Sequence, residues 1–255
     1  MASYPPVRSA RTLLCSASRS LVSPSLAQPA LPLRRNYSTT PADEPPVDYT
    51  NKPRWSYTPP SAKAPFSLRS PGKAPFFVNN DPKVIDRFYI GFLGEGGDKV
   101  LSDEVKWLAV THKSFDQGRR GFNDRLAILG KRVVQLQASL ALAQSTSTTV
   151  APDPFGRKAF DHPALEGLDN LTRSSKQYLT SKSQLAVLAN TYNLQSVLRW
   201  NPKNPNNMHA SGAQLVLAHT MYALIGAIAL EKGGHVANQV ARERILAPLG
   251  FKVAA

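Results

Sequence analysis

NDRLAILGKRVV, residues 123–134, begins the stretch of this sequence that most strongly indicates a long helix. Over residues 122–143 the apolar side chains recur at spacings that place them on one side of an α-helix. The stripe consists of Leu126, Leu129, Val133, Leu136 and Leu140. The pattern predicts a helix that buries this whole stripe against the rest of the protein.

The segments on either side of this stretch also have helical periodicity. Asp81 and Pro82 begin a helix over 81–93, and Ser102 begins another over 102–112. Further helices are predicted over 180–193, 211–231 and 233–246, and an insertion without helix over about 145–172. The fold class is therefore predicted to be all-α, in one domain over 81–252.

The chain is strongly basic, with 31 Lys and Arg against 17 Asp and Glu in 255 residues. This balance is typical of proteins that bind nucleic acid or an anionic membrane surface, and charge alone does not choose between them. Residues 1–42 contain five arginines and no acid, so 43–255 keep 26 basic against 17 acidic residues. The only cysteine is Cys15, which excludes a disulfide framework and a thiolate metal site from the rest of the chain.

Residues 1–37 have the composition of a mitochondrial transit peptide, because they are rich in Arg, Ser and Ala and free of acid. On a helix, Arg8, Arg11 and Arg19 fall on one side, with leucines opposite. Arg35 stands two residues before a potential cleavage position, which predicts a mature protein that begins near Ser38. A disordered basic tail is the alternative.

Residues 38–80 are rich in proline, which predicts an extended arm because neither helix nor sheet propagates through such a segment. Its basic residues are Lys52, Arg54, Lys63, Arg69 and Lys73, and they alternate with Tyr49, Trp55, Tyr57, Phe66, Phe76 and Phe77. This alternation favours phosphate pairing together with stacking on exposed bases. The alternative is a linker whose aromatic side chains pack on its own domain.

Residues 211–230 contain no acid, Lys or Arg and are long enough to span a membrane. Gln214, His219 and Thr220 lie within this segment, and the central helix of a helical domain is equally apolar. We therefore predict a core helix and no membrane span.

Four blocks of the sequence are similar, in order and spacing, to one known enzyme domain. The blocks are THKSF (111–115), NDRLAILGKRVV (123–134), LTSKSQLAVLANTYNL (179–194) and LVLAHTMYALIGAIALEKG (215–233). Together they resemble the ribonuclease III endonuclease domain, whose second and fourth blocks are close to N-E-R-L-E-F-L-G-D and A-D-x-x-E-A-L-I-G-A. The resemblance implies the helical fold of that endonuclease domain.

In that family, four carboxylates on two facing helices hold Mg²⁺ for phosphoryl transfer. The matching positions here are Ala127, Lys131, His219 and Tyr222, and none of them is an acid. The resemblance therefore implies a degenerate active site with no metal, no cofactor and no catalytic residue. An acid-base pair of His219 with Lys131 is a weaker hypothesis, because a histidine on an apolar helix is more often a core or interface residue.

The leader, the arm and the degenerate domain together resemble the ribonuclease-III-like proteins of the fungal mitochondrial large ribosomal subunit. That resemblance implies a non-catalytic role on ribosomal RNA in the mitochondrial matrix. It also implies contacts with other large-subunit proteins and a heterodimer with a second ribonuclease-III-like subunit. Two alternatives are an inactive regulatory partner of a mitochondrial ribonuclease III and an active double-stranded RNA endonuclease.

Candidate RNA-binding residues are basic or aromatic side chains of the arm and of the motif blocks. They are Lys52, Arg54, Trp55, Lys63, Arg69, Lys73, Lys113, Arg119, Arg120, Lys131 and Arg132. Lys131 and Arg132 hold a phosphate or a partner's acid in one interpretation, and are solvated surface charges in the other.

Overall fold

The computed structural model describes residues 51–62, 76–145, 155–156, 160 and 162–251. These residues all belong to one structural unit, 40–255. The predicted transit peptide, residues 1–37, lies outside the described residues, as do the candidate RNA-binding residues Lys63, Arg69 and Lys73.

The described residues form helices and turns, and no β-strand occurs among them. The helices are α1 (Pro82–Leu93), α2 (Asp103–Val110), α3 (Asp124–Gln144), α4 (Arg173–Leu179), α5 (Lys182–Thr191), α6 (Ala213–Glu231) and α7 (Gly233–Val240), which continues as a π-helical segment over Ala241–Leu246. One isolated parallel bridge joins Thr111 to Arg199. The predicted all-α class is confirmed.

Local sequence signals determine where α1 begins and ends. The carboxylate of Asp81 accepts a hydrogen bond from the Lys83 N–H, and Pro82 occupies the first helical position. The helix ends at Gly94, whose φ of 102° is a conformation that favours glycine. These bounds agree with the predicted helix over 81–93.

Ser102 precedes α2 as predicted, but its side chain does not cap that helix. Its hydroxyl donates to Glu231 Oε1 at 2.5 Å and its N–H donates to Glu231 Oε2 at 2.8 Å. The beginning of α2 is therefore joined to the end of α6.

The predicted insertion over about 145–172 is followed by a helix that the sequence pattern did not indicate. Within the insertion, the described residues form two single 3-10 turns, Pro163–Leu165 and Leu168–Asn170. The unexpected helix is α4, whose first turn is capped by Thr172, which accepts a hydrogen bond from the Ser175 N–H. Its sequence, RSSKQYL, has few apolar residues and so gave no periodic signal.

Helices α3 and α6 cross at two glycines that allow their backbones to touch. A Cβ added to Gly130 would lie 1.9 Å from the Tyr222 carbonyl oxygen, and one added to Gly226 would lie 2.0 Å from the Leu126 carbonyl oxygen. Both distances are far below van der Waals contact. Only glycine therefore fits at these two positions.

The close crossing changes which face of α3 is buried. The prediction that the large apolar stripe is buried is wrong for its second half, because the side chains of Leu136 and Leu140 are 55% and 38% exposed. The buried face consists mainly of small residues, namely Ala127, Gly130, Val134, Ala138 and Ala141. Small side chains let two helices approach closely, and the bulky leucines then lie outside the contact.

Helix α6 lies at the centre of the domain and is buried on nearly all sides from Val216 to Ile228. By length and composition alone, α3 and α6 are the described helices that are able to cross a membrane. The central helix of a folded domain meets the same criterion, and 67% of the apolar window of α6 is buried inside the protein. This burial supports the interpretation of 211–230 as a core helix.

Candidate functional site

The four positions matched to family metal ligands lie on α3 and α6. Ala127 is buried at 3% exposure, whereas Lys131, one turn later on α3, is exposed. On α6, the hydroxyl of Tyr222 donates to the Thr180 carbonyl oxygen at 3.1 Å. Burial raises the pKa of Tyr222 to about 12, so the phenol stays protonated and joins α6 to the segment before α5.

Asp124, at the beginning of α3, has partners for both of its carboxylate oxygens. Oδ1 lies 2.9 Å from His219 Nε2, and Oδ2 lies 3.6 Å from Lys113 Nζ. The side chains of His219 and Asp124 are about one-third exposed, so this cluster lies at the protein surface. The carboxylate is therefore held by nitrogen donors.

His112 extends this cluster on the loop that follows α2. Its ring centroid lies 6.0 Å from that of His219, edge to face, and its Nδ1 lies 2.9 Å from Ser114 Oγ. Burial, together with the nearby His219, lowers the pKa of His112 to about 4, despite the opposing effect of Asp124. His112 is consequently neutral at physiological pH, and its Nδ1 accepts hydrogen bonds from Ser114.

The residues at the matched positions do not fit Mg²⁺. That ion requires hard oxygen ligands in octahedral geometry, whereas Ala127 offers no donor and Lys131 offers an ammonium group. Among the described residues, no group of three or more His, Cys, Asp or Glu side chains is arranged to hold a metal ion. The available chemistry at this place is hydrogen bonding and pairing with anions.

The arm is attached to the helical domain through Trp55. Its ring stacks on that of Trp107, with centroids 4.2 Å apart and an interplanar angle of 13°. Arg120 donates to the Trp55 carbonyl oxygen at 3.2 Å, and the hydroxyl of Thr58 donates to Asp116 Oδ2 at 2.6 Å. One face of the Trp55 ring is thus covered by Trp107 and is not available to an RNA base. For Trp55, the structure agrees with the alternative interpretation, in which the aromatic side chains of the arm pack on their own domain.

Several of the candidate RNA-binding arginines are engaged inside the protein. Arg119 and Arg120 both pair with Asp116. Burial alone would raise the pKa of Asp116, but the hydrogen bonds from Thr58, Arg119 and Arg120 outweigh it and lower that pKa below its usual range. Arg54 places its guanidinium 5.6 Å from the Tyr57 ring centroid.

Lys131 and Arg132 differ from Arg119 and Arg120 because both are exposed, on α3. Arg132 donates to Gln135 Oε1 at 3.4 Å, and neither residue forms an ion pair with a described residue. They therefore offer their charge to solvent or to a partner. The structure also brings Lys113 together with Asp124 and His219, although Asp124 and His219 are 95 residues apart along the chain.

The sequence did not single out His112 or Ser114, although both lie in the THKSF block that carried part of the resemblance. A family model described as ribonuclease-III-like matches residues 102–249, more than half of the chain. The chain belongs to the ribonuclease-III-like family. The resemblance inferred from the four sequence blocks is confirmed.

Proteins similar to this chain include a ribosomal protein and an enzyme. The chain is 41% identical over 233 residues to large ribosomal subunit protein mL57 of Neurospora crassa, which covers 87% of each protein. It is also 33% identical to ribonuclease 3 of Pseudomonas fluorescens over 153 residues. This aligned region covers 59% of this chain and 55% of that enzyme. The crystal structure of the nuclease domain of ribonuclease III from Campylobacter jejuni superposes with a TM-score of 0.46 at 24% identity, over 66% of this chain and 97% of that one.

Proposed function

We propose that this protein is a non-catalytic component of the mitochondrial large ribosomal subunit that binds ribosomal RNA. The observation that carries the proposal is the 41% identity, over 87% of both proteins, to a large ribosomal subunit protein. The net charge of +14 and the transit-peptide composition of residues 1–37 agree with an RNA partner and a mitochondrial matrix location.

The absence of catalysis is proposed from the residues at the matched ligand positions. Ala127, Lys131, His219 and Tyr222 supply no carboxylate oxygen, and Asp124 is already held by His219 and Lys113. A divalent cation requires an oxygen ligand at the position of Lys131, and the positive charge of the lysine repels such a cation. The fold therefore serves to hold RNA through its phosphates.

Lys131 and Arg132 are the described residues that best suit such phosphate contacts, because they are exposed and unpaired with any described acid. Lys52 and Arg54 on the arm are also exposed and extend the candidate surface. Binding through phosphates predicts a steep loss of affinity with salt and little preference for sequence.

Gradient fractionation of a mitochondrial lysate tests the ribosomal assignment. We expect the protein to migrate with the large subunit at low salt and in amounts similar to those of other subunit proteins. Lys131→Glu combined with Arg132→Glu should weaken this association, whereas the matched pair Arg173→Glu and Lys182→Glu, on α4 and α5, should not. A wild-type pool that migrates alone contradicts the proposal.

A regulatory subunit of a mitochondrial ribonuclease III has the same fold and the same lost ligands. Stoichiometry separates the two functions, because a regulator should follow the abundance of its enzyme rather than that of the ribosome. Depletion of the large-subunit RNA should deplete a ribosomal component and leave a regulator unchanged.

We also propose that α3 carries the contact to a second ribonuclease-III-like subunit. Leu129, Val133, Leu136 and Leu140 follow the spacing by which helices pack on one another, and the last two are exposed. Leu136→Asp with Leu140→Asp should release that partner, whereas Val187→Asp, at a more exposed apolar position on α5, should retain it. Cross-linking followed by mass spectrometry identifies the partner, and equal cross-linking in all variants contradicts this interface.

A further inference from the structure

Arg199 is a buried cation that has no anionic partner among the described residues. The residue is 2% exposed, and its Nε is wholly buried without a hydrogen-bond partner. The guanidinium carbon lies 4.4 Å from the Phe115 ring centroid, 5.0 Å from that of Trp107 and 5.6 Å from that of Trp55. Aromatic faces attract a cation but accept N–H groups poorly, so the Nε–H of Arg199 remains without an acceptor among the described residues.

Arg199 lines a cavity of about 220 Å³ between the arm and α2. Arg54 and Arg120 line the same cavity, and Glu104 is the acid among its lining residues. Arg120 uses Nε to bind Asp116 and Nη1 to bind the Trp55 carbonyl oxygen, so its Nη2 is not used in these bonds. Three arginines and one glutamate are therefore among the residues that line the cavity.

The electrostatics of this place favour an added anion. Burial lowers the pKa of Arg199 to about 10, and the neighbouring Arg120 acts in the same direction against the weaker opposing effect of Asp116. The charged form of Arg199 is thus destabilised by desolvation and by repulsion. An anion inside the cavity would offset both effects by placing a negative charge near the three arginines.

We propose that this cavity binds a phosphate group, either free or carried by a nucleotide or an RNA end, through Arg54, Arg120 and Arg199. The planar fork of guanidinium donors matches the oxygen atoms of phosphate. The cavity volume is several times that of a water molecule, which leaves room for a phosphate group. Val105 and Leu108 form an apolar part of the wall, against which an attached sugar packs.

The arm supplies one wall of this site, since Arg54 and Trp55 are among the lining residues. The stack of Trp55 on Trp107 therefore completes the cavity as well as attaching the arm. Binding of a phosphate group should strengthen that attachment, because it bridges Arg54 on the arm to Arg199 on the domain.

Titration of the purified full-length chain, followed by its tryptophan fluorescence, tests the proposal. Trp55 lines the cavity and Trp107 stacks on Trp55, so a bound phosphate group should change the fluorescence emission of both rings. The probes are inorganic phosphate, uridine 5′-monophosphate, and two RNA oligonucleotides of one sequence that end in 5′-phosphate or 5′-hydroxyl. Sodium chloride at matched ionic strength is the blank. We expect saturable binding of the phosphate-bearing probes, and the tightest of them identifies the source of the phosphate.

Three substitutions separate this site from general basicity. Arg54→Gln at the rim and Arg199→Lys inside the cavity should each weaken binding about tenfold or more, because each removes charge-assisted hydrogen bonds. Arg87→Gln, an exposed arginine on α1, should leave binding within twofold of wild type. Arg54 is exposed, so its variant remains informative if Arg199→Lys does not fold.

Two results overturn the proposal: no saturable response to any phosphate-bearing probe, or equal binding by wild type and the variants at Arg54 and Arg199. Neither result bears on the ribosomal assignment, which is measured by migration with the large subunit. Conversely, phosphate binding by a protein that does not migrate with the subunit supports the cavity and contradicts the proposed function.

Discussion

His219 Nε2 lies 2.9 Å from Asp124 Oδ1 and links α6 to the beginning of α3. One carboxylate oxygen of Asp124 therefore faces the imidazole of His219, and the other faces the ammonium group of Lys113. In a nuclease of this family, that location would gather carboxylates around Mg²⁺. The pairing of Asp124 leads to the first prediction.

The purified protein should not cleave double-stranded RNA with Mg²⁺ or Mn²⁺. The reason is that Ala127, Lys131, His219 and Tyr222 supply no carboxylate to hold the metal ion. Gel analysis of an end-labelled duplex measures cleavage, and ribonuclease 3 of Pseudomonas fluorescens serves as the active control. Cleavage by wild type that disappears in Asp124→Asn contradicts the prediction, whereas cleavage that persists in this variant indicates a contaminant.

Gly226→Ala should destabilise the fold by roughly 3 kcal/mol or more, because the added Cβ meets the Leu126 carbonyl oxygen at 2.0 Å. Gly91→Ala is the matched control, since it lies in α1 with nothing within 4 Å of the added Cβ. That change should stabilise by about 0.5–1 kcal/mol through helix propensity. Urea denaturation measures both, and similar effects of the two substitutions would refute the close crossing.

Trp55→Ala should lower the free energy of unfolding by about 2 kcal/mol, because the stack on Trp107 and the apolar area that it covers are lost. Phe77→Ala is the control, since this aromatic is 87% exposed and its removal should change stability by less than about 0.5 kcal/mol. Near-ultraviolet circular dichroism reports the coupled indoles. An unchanged spectrum in Trp55→Ala would mean that the arm does not dock in solution.

Stability should fall as the pH is lowered from about 6.5 to 4, partly because of His112. Its pKa of about 4 in the folded protein lies below the usual 6.5, so the unfolded chain binds more protons across this range. The contribution is complete above pH 6.5 and is lost as the pH falls toward 4. About 1–3 kcal/mol is expected, given partial exposure of the ring.

His112→Asn isolates this contribution, because it keeps an acceptor for Ser114 and removes the titrating ring. Asp124, Lys113 and His219 surround His112 and are retained in the variant. Denaturation midpoints measured between pH 4 and 7 should vary less in His112→Asn than in wild type. The exposed His235→Asn on α7 should keep the wild-type slope. Equal slopes in all three proteins would assign the dependence to other groups.

Features of the fold that depend on residues close together in the sequence are predictable from that sequence. The start of α1 is one, because Asp81 caps its own helix through the Lys83 N–H. The buried face of α3 was predicted incorrectly, since it depends on contact between Gly130 and a carbonyl of α6. Periodic leucines in a sequence indicate a buried face, whereas the crossing selects small residues.

The candidate site was likewise predictable only in part. The residues at positions 127, 131, 219 and 222 are evident once the family resemblance is made. The partners of Asp124 are not, because His219 lies 95 residues away and Lys113 belongs to a loop whose position the sequence does not give. The docking of Trp55 on Trp107 also joins distant segments, and either aromatic alone is compatible with a base-stacking role.

The glycine crossing of α3 and α6 has an evolutionary consequence. Backbone contact at Gly130 and Gly226 involves no side-chain atom of the four positions matched to family metal ligands. A change of side chain there leaves this crossing in place, although Ala127 and Tyr222 also pack in the buried core. The carboxylates of a nuclease with such a crossing can therefore be lost without separating the two helices, and proteins with this scaffold and no metal ligands should recur in the family.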